Sequence, residues 1–113
     1  MTILEYVKTK VDIEHEDGDN TFDNRLLIDI ESAFSELQQL TNVKLQDGIT
    51  ASATFEDMLA LSDEGLLMLC KTFVGICVRL SFDPPSGSVL NSLEKSKDVI
   101  ASRITVQTER GSQ

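Results

Sequence analysis

The residues able to do chemistry are few. The single histidine, His15, sits among carboxylates in "VDIEHEDGDNTFD", residues 11–23. Oxygen ligands beside an imidazole suggest a cation, so calcium and zinc both need testing. A helix-flanked calcium loop wants oxygen ligands at its first, third, fifth and twelfth positions, with glycine at the sixth. Setting Gly18 at that glycine places Ile13 first and Asn24 twelfth, so two ligand positions fail. Zinc would require a second nitrogen or sulfur donor near His15, and the sequence offers none. Glu16 and Asp17 share a glycine-containing loop, where the burial that raises a carboxyl pKa for acid catalysis is not expected. Cys70 and Cys77 fall seven positions apart on one expected helix, about 10 Å between Cα atoms at a rise of about 1.5 Å per residue. That exceeds the roughly 7 Å a disulfide tolerates, so both read as buried thiols packing as small hydrophobes. No phosphate-cradling glycine loop, G-x-S-x-G turn or C-x-x-C pair occurs. These residues point to a protein that is not an enzyme and uses no cofactor or metal.

Composition narrows the class further. The chain has 113 residues, which suits one domain, and its 41% hydrophobic content supports a core built on Leu, Ile and Val around five phenylalanines. Nineteen acids against ten bases give a net charge of −9, unsuited to gripping a phosphate backbone. No apolar run near the roughly 18 residues that span a bilayer is evident, and "MTILEYVKTK" lacks a basic leader with a cleavage site. The expectation is a cytoplasmic protein at synthesis, with no membrane partner.

The pattern predicts an all-α bundle of four to five helices near 3–10, 22–40, 55–60, 63–82 and 88–105. Thr2 and Glu5 have capping-box spacing. Leu26, Ile30, Ala33, Leu37 and Leu40 form a heptad-like stripe, widened by Leu27 and Phe34, so the second helix should contact two neighbours. Thr21 or Asp23 would cap it. The Asp47-Gly48 pair, with β-branched residues nearby, admits a short β-hairpin near residues 43–50. Thr54 and Asp57 are at cap spacing, and Ser62 would cap a fourth helix whose Leu66, Leu69, Cys70, Phe73, Val74, Cys77 and Leu80 cover a broad face. The fifth helix carries Leu90, Leu93, Ile100 and Ile104, with the Lys97 stem crossing the stripe.

Both prolines of the chain stand together in "RLSFDPPSGSVL", residues 79–90. Asp83 precedes a proline and is pushed out of the α region, while Pro84 and Pro85 offer no N–H to continue a helix. Phe82, Asp83, Pro84 and Pro85 therefore read as a rigid corner, and Ser86 or Ser88 would cap the next helix. Residues 1–105 form the expected domain. After Ile104 the apolar pattern dissolves into a polar stretch, so residues 106–113 are expected to be a flexible tail.

The long first half "ILEYVKTKVDIEHEDGDNTFDNRLLIDIESAFSELQQL", followed by the helix ending "VRLSFDPPSGSVLNSLEKSKDVIASRI", resembles the head-tail connector, adaptor or head-completion proteins of tailed bacteriophages. The arginine, aromatic and "DPP" corner with a final Arg-Ile is the most specific part of the resemblance. Ala101 and Ser102 depart from it, standing where the family often has an acidic-aromatic pair. The resemblance implies a virion structural protein forming a ring, commonly of twelve copies, beneath the portal, with host cytoplasm as the place of assembly. Its implied partners are the portal protein, a tail-side neck or tail-completion protein, and copies of itself. Packaged DNA would pass through the ring and be retained without specific binding. Val106, Glu109 and Arg110 are the expected portal-docking residues, because the chain end in that family commonly reaches the portal. The acidic loop with Glu14, Glu16, Asp17 and Asp19 would face the channel or a neighbouring subunit. The alternative is an acidic helical inhibitor that mimics DNA, which would want carboxylates in rows along exposed helices instead of six gathered in one loop.

Overall fold

The computed structural model describes residues 1–11, 22–41, 49–59 and 63–111, the side chains of Arg110 and Gly111 excepted. Five helices follow in order: α1 (Ile3–Lys8), α2 (Asp23–Thr41), α3 (Phe55–Leu59), α4 (Glu64–Phe82) and α5 (Gly87–Gly111). No strand occurs among the described residues. The fold is an all-α bundle. Of the expected hairpin near 43–50, residues 43–48 lie outside the described residues.

Helix α1 is short, and its first turn is fixed from both ends of a capping box. The Glu5 amide donates to Thr2 Oγ1 at 3.1 Å, and the Thr2 amide donates to Glu5 Oε1 at 2.9 Å. A further α1 donor, the Ile3 amide, reaches the Ala53 carbonyl at 2.9 Å. That bond ties α1 to the segment leading into α3, where Thr54 Oγ1 accepts from the Asp57 amide as its spacing predicts. Asp23 stands in the first turn of α2 and pairs with Lys8 at 2.7 Å.

Helix α4 lies at the centre and packs against each of the other four helices. Its apolar face explains this: Leu66, Cys70, Phe73, Val74, Cys77 and Val78 are all buried. An 18-residue window of α4 has mean hydropathy 1.7, so by length and composition this helix could cross a membrane. The expectation that no run approaches a bilayer-spanning length is thereby corrected. Lys71, Thr72 and Arg79 lower the average of the run but leave it at 1.7, and the bundle buries much of the helix's apolar face. Helix α2 packs on both α4 and α5, as its widened stripe predicts.

Several helix boundaries differ from expectation: α1 ends at Lys8 instead of residue 10, and Asp23, offered as a cap, is the first residue of α2. The cap of α4 is Asp63, whose carboxylate accepts from the Leu66 amide at 3.1 Å, and not Ser62. Helix α5 continues past residue 105 to Gly111. The continuation has polar support: Gln107 Nε2 donates to Asp63 Oδ2 at 2.9 Å, joining the last turns of α5 to the first turn of α4.

Phe55 organises the side of the core near α1. Tyr6 meets it edge-on at 5.3 Å between ring centroids, Phe34 stacks at 6.0 Å, and Lys71 stands 5.7 Å from its ring. The molecule measures 45 × 34 × 19 Å, thin enough that its long helices keep outward faces.

Candidate interaction surfaces

The proline corner is a built junction. Helix α4 ends at Phe82, and Asp83 takes φ −146° and ψ 68°, outside the helical region, while its amide still donates to the Arg79 carbonyl at 3.0 Å. Arg79 holds the turn from the other side. Its Nε donates to the Asp83 carbonyl at 3.1 Å, and its Nη1 donates to the Lys10 carbonyl at 3.3 Å. One guanidinium thus ties α4, the corner and the chain leaving α1. Phe82 is buried, with Phe22 edge-on at 5.6 Å and the Arg25 guanidinium 4.7 Å from its ring. The chain then re-enters a helix at Gly87, whose φ of +66° lies in the left-handed region that favours glycine. Phe82, Asp83 and the two prolines thus occupy the break between α4 and α5. Arg79 belongs to the motif that carries the resemblance, but its bond to Lys10 was not legible in sequence, because that partner is a backbone carbonyl 69 positions away.

Beside the corner lies a groove of about 310 Å³. Tyr6 and Lys10 form one wall, Thr72, Gly75, Ile76 and Arg79 of α4 form the floor, and Pro85, Val89 and Leu93 close the far side. Gly75 lets the walls approach: a Cβ there would stand 3.3 Å from both Tyr6 Cε1 and Lys10 Cγ. The Lys10 ammonium sits 5.1 Å from the Tyr6 ring centre. Burial raises the Tyr6 phenol pKa, opposed by a hydrogen bond with Thr72.

A second recess, of about 390 Å³, lies between α4 and the far part of α5 and is lined by Leu69, Ser102, Arg103, Val106 and Gln107. Val106 and Glu109 are exposed on α5, and Arg110 belongs to the same helix. Val106 is separated from the corner by most of α5, about 30 Å at roughly 1.5 Å per residue. The corner and the expected docking residues are not brought together. Glu14, Glu16, Asp17 and Asp19 lie outside the described residues.

Both cysteines are free and buried. Burial pushes the Cys70 thiol up to about 11 and the Cys77 thiol up to about 12. Cys77 Sγ donates to Glu36 Oε2 at 3.4 Å, and Lys97 Nζ approaches the same oxygen at 3.2 Å. This polar triad joins α2, α4 and α5, and a thiol held protonated is a poor nucleophile. Among the described residues, no group of three His, Cys, Asp or Glu side chains could hold a metal ion.

Searches of curated proteins and of solved structures returned no significant match, whereas the family described as phage connector protein matches residues 3–111. A match of that extent places the chain in the phage connector protein family, a family of head-tail connectors.

Proposed function

We propose that the protein is a non-enzymatic virion subunit that assembles as a ring beneath the portal, joins head to tail, and helps retain packaged DNA. The observation that carries this reading is the family match across residues 3–111. The thin body and the exposed Val89, Val99 and Val106 on α5 support it, because outward apolar residues suit a subunit that buries more surface on assembly. Twelve copies are proposed for the ring in the virion. An electronegative subunit suits a conduit through which DNA slides without sticking. On this reading Val106, Glu109 and Arg110 meet the portal, a tail-side neck protein binds the opposite end, and the acidic segment with Glu14, Glu16, Asp17 and Asp19 faces the channel or a neighbour.

The test is to add purified protein to portal-bearing heads that lack it. Electron microscopy should show added density below the portal, and the heads should gain the ability to accept tails. Heads that remain bare at saturating protein would overturn the proposal.

A further inference from the structure

The groove beside the proline corner brings two cations together on an acidic chain. Lys10 and Arg79 both line it, and no carboxylate does so among the described residues. The Arg79 bond to the Lys10 carbonyl fixes these residues on neighbouring walls. Lys10 has no ion-pair partner among the described residues, and its ammonium rests over the Tyr6 ring. Below the charges the surface is apolar, formed by Ile76, Pro85 and Leu93. The groove therefore suits a segment with an aliphatic side chain flanked by carboxylates.

The chain itself carries such a segment. In "DIEHEDGD", residues 12–19, Ile13 lies between Asp12 and Glu14, with Glu16, Asp17 and Asp19 following. Copies with a net charge of −9 repel one another unless local opposite charges meet. We infer that the groove is the receiving half of a contact between copies, and that residues 12–19 of a second copy supply the other half. The two halves are different surfaces, so the contact is head-to-tail and can close into a ring. This inference rests on the ring reading above and assigns it a contact.

A photo-crosslinking side chain placed at Thr72, which is exposed and lines the groove, tests the assignment in the full chain. Equal amounts of ordinary and ¹⁵N-labelled protein are mixed and irradiated, and crosslinks are mapped by mass spectrometry. Mixed-isotope crosslinks ending within residues 12–19 are expected. Lys10→Glu should reduce them about fivefold or more, since an attraction becomes a repulsion. Adding Glu14→Lys and Glu16→Lys to that variant should restore them. The same crosslinker at Val89, which is 58% exposed, guards against a local defect at Thr72. Crosslinks confined to one isotope, crosslinks to other segments, no crosslinks at either position, or yields indifferent to the charge reversals would each overturn the inference. Head completion is scored separately. Heads completed without the mapped contact would remove the groove assignment alone, whereas a mapped contact in protein that never joins heads would remove the connector-ring reading alone.

Discussion

At the residue scale, the two thiols give the most direct test of the core. Seven-residue spacing is enough to exclude a disulfide, and burial follows from the apolar face that carries both cysteines. Neither should be alkylated by iodoacetamide in the native protein near pH 8, because their pKa values stand at about 11 and about 12. Rapid labelling without denaturant would contradict the packing. The same shifts set an alkaline limit. The unfolded chain releases these protons near the ordinary value of 9.0, while the folded protein retains them. Stability should therefore fall as pH rises from about 9 towards the folded values, since the native state binds more protons there. Melting temperatures between pH 8 and 11 check the sign, and a Cys70→Ala, Cys77→Ala protein should show a shallower decline over this range. On the acid side, Asp63 runs the other way. Its pKa is lowered by the Gln107 side chain and then by the Leu66 amide, so the stability it contributes is lost as pH falls through the carboxylate range. The Glu36 and Lys97 partners of Cys77 were not legible in sequence. Spacing along one helix says which residues share a face, but not which side chain on another helix comes to meet them.

At the element scale, the corner was legible because proline acts through its own backbone, whatever surrounds it. Its fastening was not, because Arg79 and Phe82 act through partners distant in sequence. Replacing Pro84 and Pro85 with alanine should weaken the corner, but Arg79 and Gly87 would still hold part of it. Truncating Phe82 should do more harm. Phe82→Ala should cost about 3 kcal/mol, the low end for a buried aromatic, because this ring lies at the edge of the core. Gly87→Ala should cost about 1 kcal/mol through its positive φ alone, as a Cβ there would meet nothing within 4 Å. Urea unfolding would measure both; equal losses would mean that the aromatic cluster contributes less than its burial implies. The end of α5 shows where periodicity stops informing. Beyond Ile104 no apolar stripe continues, yet the helix runs to Gly111 with the Gln107 amide bonded to Asp63. Deleting residues 106–113 should therefore lower the melting temperature. Asp63→Ala and Gln107→Ala should prove non-additive when combined, because each removes the same bond.

At the scale of the whole molecule, the all-α class and the family resemblance were legible from helical periodicity and the two ends of the chain. The thin shape was not, since it depends on how the other four helices pack around α4. That shape leaves an exposed row along α5, parts of which border the corner groove and the second recess. Val89, Ser92, Ser96, Val99, Arg103 and Val106 recur at intervals of three and four and are all exposed. Spacing of this kind suits a partner laid along the helix. In the single subunit, the row contributes little to folding. Val99→Asp with Val106→Asp should therefore change stability by only about 0.5 kcal/mol per site, the usual limit for surface substitutions. If the row is covered in the assembled connector, the same changes would bury carboxylates against a neighbour or the portal and should reduce joining to portal-bearing heads strongly. Melting curves and head-completion assays on the same preparation separate the effects. A protein that melts earlier and also fails to join heads has lost its fold. One that melts normally and completes heads as well as the parent has an α5 face that remains open to solvent, and assembly would then have to use the corner groove or the outer face of α2, where Ile28 is 64% exposed.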